Sequence, residues 1–470
     1  MNSRTHKTEK ARHIYRLLFS AVLILAEAAL FFVVWKHFYN PALRVPYRFK
    51  GNYFVTFIYA LLLMVFGNLY GGLKLGYYRT FHIIFSLAVS SLVTNMVAYV
   101  AVIIPAATWY LSPVPAVGLL TLLQILCATV WSVIGSRLFL KLFPPQRLIL
   151  LYGSRTDELA AKFATRTDRY IIEEKCCVEG ENVCGTKTFS QTCSLLCRYD
   201  GVIIGDISAE LRNDYLKFCY SHFLRTYTIP KLTDILLKSG ETLHIFDSPI
   251  YLNRNYGLSI EQEAMKRCLD LVVTIPALIV CSPILLLTAL AIKLEDGGPV
   301  FFRQQRCTRD GRVFSILKFR SMIVDAEKDG RVIPATEKDP RITKVGSFIR
   351  ATRIDELPQL INILKGDMAL VGPRPERVEH VRQYSEDIPE FSYRMLVKGG
   401  LTGYAQVYGK YNTTAYDKLK LDLMYIQNYS ILLDLEILFK TIQIVLTKES
   451  TEGFSSAASA EIREKAEEER

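Results

Sequence analysis

Asp355 and Glu356 are adjacent carboxylates that open the run Asp-Glu-Leu-Pro-Gln-Leu-Ile-Asn-Ile-Leu-Lys. The residues after them repeat apolar positions at helical spacing, and a stiff Gly-Pro-Arg-Pro-Glu turn follows at Gly372 to Glu376. A proline is tolerated in the first turn of a helix, where its missing N–H has no partner to lose. Pro358 therefore predicts that the acidic pair sits at a helix N-terminus. Free backbone N–H groups and the helix dipole favour anions there. A carboxylate beside a phosphate-friendly helix end suits phosphoryl transfer, as nucleophile or as metal ligand. A simpler reading makes Asp355 an N-cap only.

Cations surround this block in the sequence. Arg353 precedes the pair by two residues, and Arg374 is fixed between Pro373 and Pro375. A guanidinium held by two prolines is preorganised for phosphate or uracil. Alternatively the prolines merely shape a surface turn. Lys318 and Arg320 alternate in a strand-like run, Leu-Lys-Phe-Arg-Ser-Met from Leu317, and are expected to face the same anionic pocket or solvent. Arg303 and Arg306, in Gly-Pro-Val-Phe-Phe-Arg-Gln-Gln-Arg from Gly298, follow an apolar stretch and are expected to meet a phosphate or lipid headgroups. Glu376 closes the turn. His380 has no spaced partner that would mark a metal site.

The elements that must hold these residues belong to a membrane protein. The chain has 470 residues, half of them hydrophobic (50%), and a formal net charge of +11. Its mean hydropathy is +0.18. Four apolar stretches, Leu17 to Trp35, Tyr53 to Tyr70, Phe81 to Pro105 and Ala116 to Leu140, are each long enough to cross a hydrocarbon core of ~30 Å. Glu27 interrupts the first and predicts a buried partner. Basic residues before Leu17 and after Leu140 orient both ends toward the cytoplasm, although the basic loop from Lys36 to Lys50 disagrees. The uncharged connection from Ala106 to Pro115 reads as external. The positive charge points to anionic lipids and diphosphates rather than nucleic acid. No cleavable signal peptide is evident.

From Gln146 to about Ser259 short apolar runs alternate with helical ones. Leu148 to Tyr152, Tyr170 to Ile172, Gly201 to Ile204 and Thr226 to Ile229 read as buried parallel strands of an α/β, Rossmann-like domain. The turn from Tyr152 to Asp157 has one glycine and no G-x-G-x-x-G, so dinucleotide binding is unsupported. Five of the ten cysteines, Cys176, Cys177, Cys184, Cys193 and Cys197, lie here without zinc-like spacing and are expected to be reduced thiols. A fifth apolar stretch, Arg267 to Lys293, contains Pro276 and Pro283. Its flanks are equally basic, which fits a helix that enters and leaves the membrane on one side better than one that crosses it. Amphipathic helices are expected from Thr414 to Thr447, and a frayed or solvated tail after Ser455.

Taken in order, the Gly-Pro-Val-Phe-Phe-Arg, Leu-Lys-Phe-Arg-Ser-Met, acidic-pair and Gly-Pro-Arg-Pro-Glu blocks, with Lys-Gly-Gly-Leu-Thr-Gly-Tyr-Ala-Gln at Lys398 to Gln406, resemble the bacterial sugar transferases. These are the large monotopic phosphoglycosyl transferases, and the resemblance covers roughly Ala264 to Phe454. It implies transfer of a sugar-1-phosphate from a UDP-sugar to a polyprenyl phosphate, with release of UMP. Asp355 would be the nucleophile, forming an aspartyl sugar-phosphate, and Glu356 would hold Mg²⁺. Arg303, Arg306, Lys318, Arg320, Arg353, Pro373, Arg374 and Glu376 would bind substrate. Ser282 and Pro283 resemble the break of a re-entrant membrane helix. The implied layout is a four-helix transmembrane bundle (1–145), a Rossmann-like accessory domain (146–262), a catalytic domain anchored by the re-entrant helix (263–454) and a charged tail (455–470). The expected place is the bacterial inner membrane, with the catalytic domain cytoplasmic. A homodimer is compatible with the sequence. Rival readings are a direct glycosyltransferase that releases UDP, and a non-enzymatic transporter or scaffold.

Overall fold

The computed structural model describes residues 3–43, 45–106, 114–153, 160, 163–164, 166–179, 189–238, 240–253, 257–324, 339–409 and 413–446. Most of the connection expected to be external, most of the turn after Tyr152, Cys184 and the tail after Ser455 lie outside these residues. The chain forms two compact units, Met1–Ile229 and Pro230–Arg470.

The first unit opens with four long helices, α1 (Ser3–Val34), α2 (Lys50–Leu69), α3 (Thr80–Ala106) and α4 (Val114–Leu142). They pack in ring order, α1 on α2, α2 on α3, α3 on α4 and α4 back on α1. Phe31 and Tyr59 stack face to face at 3.8 Å in their core. Outward positions such as Leu18, Leu25, Phe57 and Leu122 are exposed and apolar, as expected of lipid-facing helices. Glu27 is buried, and Ser91 Oγ donates to its Oε2 at 3.1 Å. A polar network continues from there. Tyr59 donates to Asn95 at 2.7 Å, Asn95 donates to Thr121 at 2.9 Å and to Gln124 at 2.8 Å, and Gln124 donates to Tyr59 at 2.8 Å. Every one of the four helices contributes. Polar groups scattered in the sequence thus converge in space, as they must when no water is available to satisfy them.

The same unit then builds a parallel sheet. Strands β1 (Gln146–Tyr152), β2 (Tyr170–Cys177), β3 (Gly201–Ile204) and β4 (Arg225–Thr228) lie in the order β2-β1-β3-β4, all parallel. Leu148, Ile149, Leu150 and Leu151 are all buried, the continuous apolar run of a strand covered on both faces. Helices α5 (Phe189–Leu196) and α6 (Ala209–Ser221) complete the crossovers. The four expected strands are therefore present, with β2 longer than expected. The nine described cysteines are free thiols.

The second unit begins with α7 (Leu232–Lys238) and the hairpin β5 (Glu241–Ile245) and β6 (Ser248–Leu252). Helix α8 (Ile260–Asp296) starts at a capping box, in which Gln262 N donates to Ser259 Oγ and Ser259 N donates to Gln262 Oε1, and ends at Gly297 with φ 70°. The hairpin β7 (Phe301–Cys307) and β8 (Val313–Phe319) follows. Then come α9 (Lys344–Ala351), α10 (Gln359–Lys365), β9 (Ala369–Val371), α11 (Val378–Asp387), β10 (Gly400–Thr402), α12 (Tyr404–Tyr408), α13 (Ala415–Gln427) and α14 (Ile431–Leu446). Leu360, Ile363, Met368, Val371, Leu419, Leu423 and Ile437 form its core.

Helix α8 contains both Pro276 and Pro283, the second at the position of the expected break. A proline at 283 cannot donate to the carbonyl of Ile279, four residues back. Ser282 Oγ takes that acceptor instead, at 2.8 Å, so the serine repairs the gap the proline leaves. Among the described residues five helices, α8 included, are long and apolar enough to cross a membrane.

Candidate active site

The acidic pair lies on a 3₁₀ turn, Ile354–Glu356, ahead of α10 rather than within its first turn. Pro358 explains the difference. Lacking an N–H, it cannot donate to Ile354 O, and Leu357 N takes that carbonyl at 3.1 Å, which tightens the turn. Pro358 becomes the N-cap of a seven-residue helix. Arg353, just before the pair, has φ 59°, a left-handed conformation that arginine rarely adopts.

The site's positive charge comes from side chains. Glu356 Oε1 accepts from Lys318 Nζ at 3.0 Å and from Arg374 Nη2 at 3.0 Å. Burial alone would raise the Glu356 carboxyl, but Arg374 and Lys318 reverse this and hold it well below the ordinary glutamate range. Its neighbour behaves oppositely. Burial, reinforced by the charge of Glu356, pushes the Asp355 carboxyl up, against Lys318, Arg353 and Arg350. Asp355 Oδ1 is buried and accepts no hydrogen bond among the described residues. An unpartnered buried carboxylate oxygen is costly and points to a missing ligand or reaction partner. Two adjacent carboxylates held on opposite sides of their normal range are suited to different tasks.

Asn362 sets the spacing between the pair and Lys318. From α10 its Oδ1 accepts from Leu317 N at 2.9 Å, and its Nδ2 donates to Ser315 O at 2.9 Å. The strand that carries Lys318 is thereby tied to the helix that follows Asp355. Sequence reading missed Asn362, although a polar residue on the apolar face of a short helix is a usable signal.

Backbone contact builds the Gly-Pro-Arg-Pro-Glu turn. β9 pairs in parallel with β10. Gly372 N donates to Thr402 O at 2.8 Å, and Gly400 N donates to Pro373 O at 2.9 Å. A Cβ on Gly372 would collide with Lys398 O, and one on Gly400 with Gly372 N. The glycines of both motifs are explained by this close approach. Arg394 secures the turn from behind. It donates to Asp422 Oδ2 at 2.9 Å through Nε and to Arg374 O at 3.0 Å, and lies 3.6 Å from Glu376. Both members of the Arg394–Asp422 pair are buried. Nothing local in the sequence marks two residues this far apart.

The remaining candidates separate. Arg306 donates to Pro375 O at 3.0 Å and to Gln304 Oε1 at 2.6 Å, and sits 3.9 Å from Glu376. Burial would raise the Glu376 carboxyl, but His380, Arg394, Lys418 and Arg306 bring it down to about 2. Pro373 is buried in the turn. Arg320 does not join Lys318 at Glu356. It pairs with Asp296 at the end of α8. Arg303 is exposed and, opposite Leu317, lies on the other face of the β7–β8 hairpin from Lys318. Ser282 and Pro283 are exposed in mid-helix.

Among the described residues no three His, Cys, Asp or Glu side chains gather to hold a metal. The donors that fit a hard cation are the free Asp355 Oδ1 and Glu356, whose described hydrogen bonds both fall on Oε1. Such a short set suits Mg²⁺, which keeps several waters and takes phosphate oxygens for the rest of its shell.

A catalytic unit of this kind has relatives. Residues 261–448 match the bacterial sugar transferase family. The chain is 44% identical over 191 residues to a UDP-glucose:undecaprenyl-phosphate glucose-1-phosphate transferase of Caulobacter vibrioides, which covers 39% of this chain and 71% of that protein. It is 39% identical over 269 residues to a UDP-N-acetylgalactosamine-undecaprenyl-phosphate N-acetylgalactosaminephosphotransferase of Aeromonas hydrophila, 53% of this chain and 60% of the relative. It is 40% identical over 248 residues to a UDP-glucose:undecaprenyl-phosphate glucose-1-phosphate transferase of Klebsiella pneumoniae, 52% and 51% of the two chains. The match thus spans about half to three-fifths of the Klebsiella and Aeromonas relatives. The chain belongs to the bacterial sugar transferase family.

Proposed function

We propose that the chain transfers a sugar-1-phosphate from a UDP-sugar to a polyprenyl phosphate. The observation that carries this reading is the buried, unpartnered Oδ1 of Asp355 beside a Glu356 held ionised by Lys318 and Arg374. An Asp355 carboxylate oxygen attacks the sugar-bearing phosphorus. The bond from that phosphorus to the bridging oxygen breaks, and its electron pair leaves on UMP. An aspartyl sugar-phosphate remains. An oxygen of the prenyl phosphate then attacks the same phosphorus, the acyl-phosphate bond breaks, and Asp355 is regenerated as the product diphosphate departs. Dividing the transfer lets two bulky substrates use one site in turn. Arg374 and Lys318 stand where diphosphate charge would be neutralised. Mg²⁺, held by Glu356, would add Lewis-acid neutralisation of the diphosphate. Arg353 and Arg306 flank the same turn elements and are read as outer contacts for substrate phosphate.

The membrane arrangement belongs to the same proposal. Near its start, α8 is tied into the second unit by Lys266, which donates to Asp434 at 2.7 Å, and by Asp270, which accepts from Leu370 N at 2.9 Å. Near its end, Glu295 accepts from Lys344 N at 2.8 Å and Asp296 pairs with Arg320. Between these ties Ile279, Val280, Leu286 and Leu287 are exposed and apolar. A helix held at both ends by one folded unit supports re-entry rather than a crossing. The first four helices are read as a transmembrane bundle in the bacterial inner membrane, with both units' polar parts cytoplasmic. Relatives named for glucose, galactose and N-acetylgalactosamine transfer make these the sugars to try first. The test is product identity. With Mg²⁺, undecaprenyl phosphate and a panel of UDP-sugars, at least one sugar yields UMP and a diphosphate-linked lipid. Release of UDP instead identifies a direct glycosyltransferase, and no product with any donor removes the enzymatic reading.

A further inference from the structure

The first unit contains an open cavity that the acid-pair chemistry does not use. It measures about 380 Å³ and lies between one end of the first four helices and the sheet edge. Arg12 and Arg16 line it from α1, Tyr77 from the α2–α3 connection, Phe139 and Phe143 from the end of α4, and Arg169, Arg225 and Tyr227 from the sheet. Four guanidinium groups face one lining carboxylate, Asp168. That carboxylate is already engaged by Arg166 at 2.9 and 3.0 Å. Asp200 acts on Arg12 from nearby, but its own Oδ2 accepts from Arg147 N. Among the described lining residues, guanidinium groups thus outnumber carboxylates four to one.

Aromatic rings hold the cations in place. Arg16 lies 4.4 Å from the Tyr77 ring centroid, and Arg169 lies 4.9 Å from the same centroid. Arg169 also donates to Tyr77 O at 3.2 Å. Arg12 stacks 5.5 Å from Phe143. Rings fix the guanidinium planes without neutralising them, because a ring face offers only a quadrupole. The buried Nε–H of Arg16 finds no hydrogen-bond acceptor among the described residues. Burial also pushes the Arg169 guanidinium below its ordinary range. Planar guanidinium donors lining one cavity suit phosphate oxygens, which they bind bidentately.

We infer that this cavity is a binding site for a phosphate-bearing anion, separate from the acid pair. The volume exceeds that of a bare phosphate ion, and the rings add an apolar wall for whatever carries the phosphate. Two sources share this chemistry. One is the headgroup of an anionic phospholipid, reached from the lipid-facing helix ends. The other is a soluble organic or inorganic phosphate.

Full-length protein in nanodiscs separates them. In neutral phosphatidylcholine discs, pyrophosphate is titrated and thermal unfolding is followed. In a parallel arm, discs containing phosphatidylglycerol are compared with neutral ones, and retained lipid is weighed by native mass spectrometry. The inference expects saturable stabilisation or retention in at least one arm. It also expects at least tenfold weaker binding in Arg16→Gln and Arg169→Gln, partial retention in Arg16→Lys, and no change in Arg198→Gln outside the cavity. A pyrophosphate response identifies a soluble phosphate, and a response to phosphatidylglycerol alone identifies a lipid headgroup. If wild type binds neither, or if the glutamine variants bind as wild type does, the arginines are only a bracket between helices and sheet. The wild-type measurement overturns the inference even if a variant fails to fold.

Discussion

Asp355 and Glu356 share a backbone turn but not an electrostatic role. Asp355→Asn removes a group whose Oδ1 accepts nothing, so the melting temperature should barely move. Turnover should fall on the order of 10³-fold or more if this group is the nucleophile. Thermal melts beside UMP release check both halves, and near-normal UMP release would reject the assignment. Glu356→Gln is different, because it strips two cations of their shared partner. A cost of about 2 kcal/mol is expected from charged hydrogen bonds of this kind. Adding Lys318→Met should recover about 1 kcal/mol of it, as coupled neighbours do. Strict additivity in denaturant melts would mean the Glu356–Lys318 contact carries no energy.

The pH dependence follows from the same two residues. Asp355 reacts as carboxylate, and its folded pKa is raised. Activity should therefore fall, as pH is lowered, at values above the ordinary aspartate pKa of about 3.9. A profile flat down to that value contradicts the raised pKa. The glutamates are shifted in the opposite direction, and there the consequence is for stability. Glu356 and Glu376 have folded values below the ordinary one, Glu376 at about 2. Their contribution is present above about pH 4.3 and is lost as pH falls toward the folded values. In Glu376→Gln the acid arm of a stability–pH curve should flatten between those limits.

At the level of elements, the site is a junction of turns held by backbone contact. Gly400→Ala should cost about 1–3 kcal/mol through overpacking against Gly372 and should lower activity, although no polar group is lost. Unchanged melts would show that the β9–β10 approach has slack. The sequence made much of this legible. Periodicity exposed the long helices and the buried strands, because lipid and a doubly covered sheet both demand continuous apolar runs. Fixed spacing exposed the acid pair, the Gly-Pro-Arg-Pro-Glu turn and the glycine motif. Contacts distant in sequence were not legible. Arg394 with Asp422, Asn362 with Leu317, and the six-residue polar network around Glu27 depend on which faces meet. Periodicity does not encode that. One local contact in α8 was equally hidden: Pro283 signals a lost donor, and Ser282 supplies one to Ile279 O.

At the scale of the whole molecule, α8 makes a topological prediction. Cysteine labels placed at exposed positions near Lys266 and near Phe301 should react from the same side of sealed vesicles, because both ends of the helix are tied to one unit. Labelling from opposite sides would establish a fifth crossing. The central claim, however, is covalent catalysis by Asp355, and one experiment reaches it most directly. Enzyme is mixed with Mg²⁺ and a labelled UDP-sugar that it turns over, with no prenyl phosphate present. It is then denatured, and the peptide carrying Asp355 is weighed. The account predicts release of about one equivalent of UMP per active site, with the mass of one sugar-phosphate gained on that peptide and none gained in Asp355→Asn. Absence of both UMP and adduct, in enzyme that turns over once acceptor is added, would contradict it and assign the transfer to a ternary complex.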